Sequence, residues 1–242
     1  MEEPEHADGA SGVTRRSSLL GLGGLAAAVL GADGWMRHEA AAATSTSSGP
    51  AAVASGLVTC VLSPEQTDGP FFTENDRIRR DVRDGRPGVP LMLRATVLDV
   101  STCKPLRGAL VDIWHCDAGG TYSAFAQEGT EGKRFLRGIQ RTDRSGVAIF
   151  QTIYPGWYQG RTVHIHVRVY VGGDVVHTGQ LYFPDALTDV IFRRVPYNRR
   201  PARTTRNETD AIFRNGGSHS MVKLARSGKG YVGRITMGVQ LR

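Results

Sequence analysis

The stretch Val163–Val171 constrains this chain more than any other. Val163, Ile165, Val167, Val169 and Val171 alternate with His164, His166, Arg168 and Tyr170. A period of two places alternate side chains on opposite faces of a strand, so the aliphatic set shares one face and the polar set the other. Further strands are expected at Val89–Val100, Ala109–His115, Gly146–Ile153, Leu181–Phe183 and Tyr231–Val239, with a short helix at Asp185–Phe192. Ser101–Gly108 carries turn residues, so Val89–Val100 and Ala109–His115 read as the two arms of a β-hairpin. Short strands at regular spacing, separated by Gly/Pro turns, predict an all-β fold. The expected form is a β-sandwich with one or two short helices, wrapped by the long irregular stretches 60–88 and 193–230. Loops of that length usually carry function.

The same strand carries the first chemistry. His164 and His166 stand at i and i+2, so their imidazoles project from one face and can grip one ion. That spacing alone does not choose between zinc, copper and iron. No Asp or Glu lies within six residues of the pair, so a site of two His and one carboxylate would have to borrow its acid from elsewhere. Tyrosines lie closer. Tyr158 follows the Pro155-Gly156 turn and Tyr122 follows Gly119-Gly120, each placed so that a loop can swing a phenol over the histidine face. A phenol ionises near pH 10 in water, with a pKa of about 10. Only a strongly Lewis-acidic ion would ionise two of them at neutral pH, and ferric iron is the natural candidate. Two ordinary half-buried aromatic residues explain Tyr122 and Tyr158 equally well at this point.

Composition narrows the class. The 242 residues are 40% hydrophobic and 22% charged, which fits a packed protein rather than a disordered one. The single long apolar run, Leu19–Ala32, is shorter than the roughly 20 residues of a membrane span, so no stable membrane span is expected. It follows Arg15-Arg16 and leads to Ala40–Ala43, the layout of an export signal of the twin-arginine type. Cargo of that route crosses folded, which suits a protein that takes up a metal before leaving the cytoplasm. The organisation expected is therefore a signal at 1–43, a flexible linker at 44–56 and a catalytic domain at 57–242, exported to the cell wall or the medium. Without residues 1–43, the bases outnumber the acids 27 to 17. They are scattered arginines with no aromatic interleaving, so no nucleic-acid partner is expected. Export permits a disulfide among Cys60, Cys103 and Cys116, but three thiols leave one over and their spacing does not assign the pair.

Two longer segments carry a resemblance. Val111-Asp112-Ile113-Trp114-His115-Cys116-Asp117-Ala118-Gly119-Gly120-Thr121-Tyr122-Ser123 is similar to the first ligand segment of the intradiol ring-cleavage dioxygenases. Thr152–Tyr158, running on through Arg161 to His164 and His166, resembles the second. Pro64–Phe72 resembles the entry segment of that family, and Asn207–Ser218 resembles the tail of its exported bacterial members. The resemblance implies a non-haem Fe(III) held by Tyr122, Tyr158, His164 and His166. Tyr158 and His166 match the axial ligands, Tyr122 and His164 the equatorial ones, and solvent hydroxide completes the set. It implies that an ortho-dihydroxy aromatic displaces Tyr158 and the hydroxide, and that O2 cleaves the ring to a cis,cis-muconate-type diacid. Arg161 matches the active-site arginine and Gln180 the active-site glutamine of the family. His115 matches no ligand and is expected in a supporting or surface position; His177 and His219 are expected at the surface. The helical N-terminal dimerisation domain of the catechol dioxygenases and an added carbohydrate-binding module are not expected, and the oligomeric state stays open, with a homodimer as one option. The compact stretch between Tyr122 and Tyr158 predicts an open site that tolerates several catechols. Two other readings stand beside this one: an exported sandwich that only binds a metal or polymer, and a zinc or copper enzyme built on the His164/His166 pair.

Overall fold

The structure is a computed structural model and describes residues 60–74 and 77–241. The signal expected at 1–43 and the linker at 44–56 lie outside the described residues. Strands follow in the order β1 (Pro90–Asp99), β2 (Lys104–Pro105), β3 (Leu110–Trp114), β4 (Arg137–Arg141), β5 (Val147–Ile153), β6 (His164–Val171) and β7 (Asp174–Tyr182). Helix α1 (Asp185–Phe192) comes next, then the single turn α2 (Ala211–Arg214), then β8 (Lys223–Ser227) and β9 (Gly230–Val239). They form two sheets. One runs β2-β1-β9-β8 with β5 also against β1; the other runs β4-β3-β6-β7. The fold is a β-sandwich.

The alternation of β6 does what its period requires. Val163, Ile165, Val167 and Val169 are buried between the layers. They meet the inward residues of β1, among them Leu91, Leu93 and Val97, and Phe150 of β5 in one continuous core. At roughly 1.5–3 kcal/mol for each fully buried aliphatic or aromatic side chain, this core dominates the stability of the sandwich.

The hairpin expected between β1 and β3 does not form. β1 pairs with β9 in parallel on one side and with β5 and β2 on the other, so neither of its edges is free for β3. The intervening turn instead carries the chain across to the second layer. Asp99 ties it, accepting from the backbone N–H and hydroxyl of Ser101 and from the hydroxyl of Thr102. A Cys60–Cys103 disulfide fastens the same turn, and Cys116 is left as a buried free thiol.

The strand expected at Leu181–Phe183 proves to be the end of a longer one. β7 begins at Asp174 and pairs antiparallel with β6. Gly172 and Gly173 make the turn at φ of 65° and 102°, a region that side chains other than glycine enter at a cost. β4 and the largely exposed β8 lack the alternation that marks a strand and were not expected. Residues 60–74 and 77–88 wrap the sandwich through isolated bridges, Leu62 to Gly238, Ile78 to Ile139 and Asp81 to Gln151. One consequence corrects the placement of His177, which is buried. The Gln66 N–H donates to the Thr178 carbonyl, which lays the wrapping segment over β7, and Glu65 comes within 3.6 Å of the His177 ring. No helix among the described residues is long and apolar enough to cross a membrane.

Candidate metal centre

His164 and His166 share the face of β6 that points away from the sandwich core, yet they are 3% and 0% exposed. An aromatic roof covers them. The His166 ring stacks on Trp114, its cross-strand neighbour on β3, at 4.9 Å between centroids. His164 donates its Nδ1–H to the Thr162 carbonyl at 2.7 Å, which leaves Nε2 with a free lone pair. Burial, and then the nearby Arg161, push His164 down to about 3; burial and His164 hold His166 well below its ordinary range. Both rings are therefore neutral at physiological pH, as metal ligands must be.

Tyr122 reaches this face because the chain reverses directly after β3. Asp117 accepts from the N–H groups of Gly119 and Thr121, and Gly120 takes φ of 84° at a point where a Cβ would strike Arg200 and the Trp157 carbonyl. The Tyr122 ring is buried and stacked on Phe71 at 4.1 Å, and among the described residues its hydroxyl has no hydrogen-bond partner. Tyr158 arrives from the other side, after the buried run Thr152–Trp157, and is half-buried. Its hydroxyl accepts from Arg161 Nη1 at 3.2 Å. Burial pushes both phenols up; for Tyr158 the Arg161 charge opposes that rise.

The four rings close a circuit. Centroid separations are 5.5 Å for Tyr122–Tyr158, 5.6 Å for Tyr158–His164, 4.6 Å for His164–His166 and 6.3 Å for Tyr122–His166. The two Nε2 atoms stand 3.0 Å apart. That is the edge between two neighbouring ligands at right angles when each metal–nitrogen bond is about 2.1 Å. A buried phenol with no partner costs on the order of 1–3 kcal/mol, a penalty that an ion bound to Tyr122 would remove. The residues present thus fit a metal ion. Two phenol oxygens and two imidazole nitrogens make a donor set for a hard, strongly acidic ion. Among the described residues no group of three or more His, Cys, Asp or Glu side chains offers an alternative cage. Cys116 packs in the same aromatic cluster, but burial raises its thiol far above neutrality and it stays protonated.

The other expected residues gather at one edge of the circuit. Arg161 is only 13% exposed at its side chain. Its Nε donates to Asp210 at 2.9 Å and its Nη2 to Gln180 Oε1 at 2.5 Å. Gln180 sits opposite His166 in the β6–β7 register and so shares its face. Its amide nitrogen donates to the Thr67 carbonyl, and its Oε1 also accepts from the Tyr182 hydroxyl at 3.1 Å. His115 is buried with both ring nitrogens engaged, by the Cys116 carbonyl at 2.8 Å and the Thr152 hydroxyl at 2.7 Å. It supports the first ligand segment from within. His219 is exposed, as expected.

Sequence reasoning missed Asp210, Phe71 and Trp114. Asp210 caps α2, accepting from Ile212 and Phe213, and also takes the Thr162 N–H and the Arg161 guanidinium. Burial alone would raise this carboxyl, but the backbone donors and Arg161 more than offset it and hold it below the usual range. Its cap role was readable from Asp210 standing before Ala-Ile-Phe-Arg; its pairing with an arginine 49 residues earlier was not. This buried carboxylate reaches the start of the histidine strand through the Thr162 N–H and is committed to Arg161.

The sequence profile of the family described as Dioxygenase matches residues 63–196. Catechol 1,2-dioxygenase 1 of Acinetobacter lwoffii is 29% identical over 133 residues, covering 46% of this chain and 42% of that protein. The protocatechuate 3,4-dioxygenase beta chain of Burkholderia cepacia is 32% identical over 154 residues, covering 57% and 64%. The chain spans about half the length of the curated relatives it matches. An intradiol ring-cleavage dioxygenase from Tetranychus urticae superposes with a TM-score of 0.72 at 36% identity, covering 75% of this chain and 95% of that one. With more than half its length matched by the profile and its sandwich shared with that solved structure, the chain belongs to the intradiol ring-cleavage dioxygenase family.

Proposed function

We propose that this chain is a non-haem Fe(III) intradiol dioxygenase that cleaves catechol-type aromatics with O2 to cis,cis-muconate-type diacids. The observation that carries the reading is the closed circuit of Tyr122, Tyr158, His164 and His166, with the two Nε2 atoms 3.0 Å apart. The names of the relatives, catechol and protocatechuate dioxygenases, support the substrate class. Bound there, ferric iron would supply the acidity that ionises the phenols and, with the diol in place, would draw electron density from the ring so that it can react with O2.

The protein's own groups do the rest. Tyr158 is the most exposed of the four and sits on a turn, so it is the one to give way to the incoming diol. Its Oη takes a substrate proton, which is general-base work. Arg161, fixed by Asp210 and Gln180, keeps a positive charge beside that oxygen and beside the developing negative charge of the ring. Gln180, anchored to Thr67, holds Arg161 and orients the substrate. Trp114 and Phe71 keep water off His166 and Tyr122.

Colour tests this reading. The iron-loaded protein is expected to be red-brown and the zinc-loaded protein colourless. Because burial holds both phenols protonated until the ion binds, lowering the pH should bleach the band with a slope approaching two protons. The histidines, held low, contribute no proton in that range. A loaded protein transparent across the visible range would end the proposal. Oxygen uptake with catechol, protocatechuate, hydroxyquinol and methylcatechols then ranks the substrates.

We also propose export by the twin-arginine route, on the strength of Arg15-Arg16 before the Leu19–Ala32 run. Arg15→Lys with Arg16→Lys is expected to hold the protein in the cytoplasm; unchanged secretion of the double variant would exclude that route.

A further inference from the structure

The outer face of the β1-β9-β8 sheet, remote from the metal centre in sequence and on the opposite layer, carries a second feature. Arg94 on β1 pairs in register with Arg234 on β9, and Arg234 pairs in register with Lys223 on β8. Residues paired across strands point to the same side of a sheet, so the three cations form one row. Neighbouring strands lie about 4.8 Å apart, so the row spans roughly 10 Å with one charge per strand. Like charges set directly opposite each other destabilise a sheet. Nothing here offsets them: among the described residues, none of the three side chains has an ion pair or hydrogen-bond partner. Thr96 and Thr236 stand in the row on one side; Met92 and Gln151 stand in the row on the other, which Asp81 joins through its bridge to Gln151. Arg94, Arg234, Lys223, Thr96 and Thr236 line a groove of about 630 Å³ together with His219 and the exposed Val61 and Leu62.

We infer that this groove binds an acidic polysaccharide, a linear chain of uronic-acid sugars lying across the strands. Such a chain bears one carboxylate per ring and so presents a line of anions to a line of cations. Its hydroxyls suit Thr96 and Thr236, and its ring faces suit the aliphatic walls. A single small anion would call for cations converging on a point, whereas these stand in a line. A single-stranded nucleic acid would call for a series of aromatic platforms, and the lining of the groove offers one imidazole, His219. The role is anchoring: the enzyme is held on a carboxylated polymer while the metal centre in the other sheet remains free. The inference does not depend on the proposed oxygenase activity.

The test is affinity electrophoresis and equilibrium binding of the full chain with polygalacturonate, with dextran as the neutral control. Binding to polygalacturonate but not dextran, weakening as salt rises, is expected. The triple variant Arg94→Gln, Arg234→Gln, Lys223→Gln should bind at least tenfold more weakly while turning over catechol unchanged. A second triple variant, Arg107→Gln, Arg141→Gln, Arg144→Gln, removes the same charge from exposed positions elsewhere and should bind like the unmodified chain. Equal loss in both variants would mean that net charge alone is responsible and would overturn the site. So would full binding by the first variant, equal binding to dextran, or tighter binding to single-stranded DNA of matched charge. All six substitutions are on partly or fully exposed side chains, and thermal unfolding checks that each variant is folded.

Discussion

Tyr158→Phe is expected to lower kcat by about 10²–10⁴, the range that a positioned general base contributes. The substitution keeps the ring that packs edge-on against Phe71, Tyr122 and His164 and removes only Oη. Stability should therefore change little, by well under the cost of emptying a core site. The effect belongs to the oxygen. Without it, one phenol leaves the donor set, so the visible band should shift and weaken. The acid-bleaching slope should fall from near two protons to near one. Substrate protons then have no base at that position, so the loss should fall on kcat more than on KM. Stopped-flow spectra and oxygen uptake on the same iron-loaded preparation measure both. An unchanged band would remove Tyr158 from the donor set, and an unchanged rate would remove it from the chemistry.

The second large effect is expected from Arg161. Its guanidinium touches Tyr158, Gln180 and Asp210 at once, at 3.2, 2.5 and 2.9 Å. Loss of one preorganised charge beside a reacting centre costs about 10²–10³ in rate. Arg161→Ala should therefore keep the iron, since no donor atom is lost, yet turn over that much more slowly. The band should move as well, because Tyr158 Oη loses its donor. Ala would also remove the charged partner of the buried Asp210 carboxylate, which keeps its three backbone donors, so some stability should be lost. Arg161→Gln is the companion variant: its amide can still donate to Asp210 and restore much of the stability, but it carries no charge. Restored unfolding temperature with the rate still low is the expected pattern. Full activity in the folded Gln variant would refute the electrostatic role.

The residues that were legible in advance share a property. His164 and His166 were readable as a pair because strand periodicity acts within a few residues. Tyr122 and Tyr158 were readable as candidates because each follows a glycine turn, but spacing left them equally open to ordinary packing. Their approach to within 5.5 Å of each other depends on two loops from different strands. Asp210 was legible as a helix cap and illegible as the partner of Arg161. His177 looked like surface because a histidine on a polar edge strand carries no sign of the segment that will cover it. The failed hairpin has the same origin: Ser101–Gly108 does turn the chain, but β9, more than a hundred residues later, claims the edge of β1.

By itself, then, the sequence determined which side chains share a face, where the chain must turn and which family the segments belong to. These are consequences of backbone period, local steric limits and side-chain chemistry, all of which act over short spans. Only the tertiary structure decided that the polar face of β6 is roofed by Trp114, that Arg161 is held by Asp210, and that Arg94, Arg234 and Lys223 fall into line. Those outcomes rest on strand pairings and on contacts as distant as Gln66 with Ile212, 146 residues apart. Which distant segments meet is settled by how the whole chain buries its apolar surface, and no local pattern encodes it.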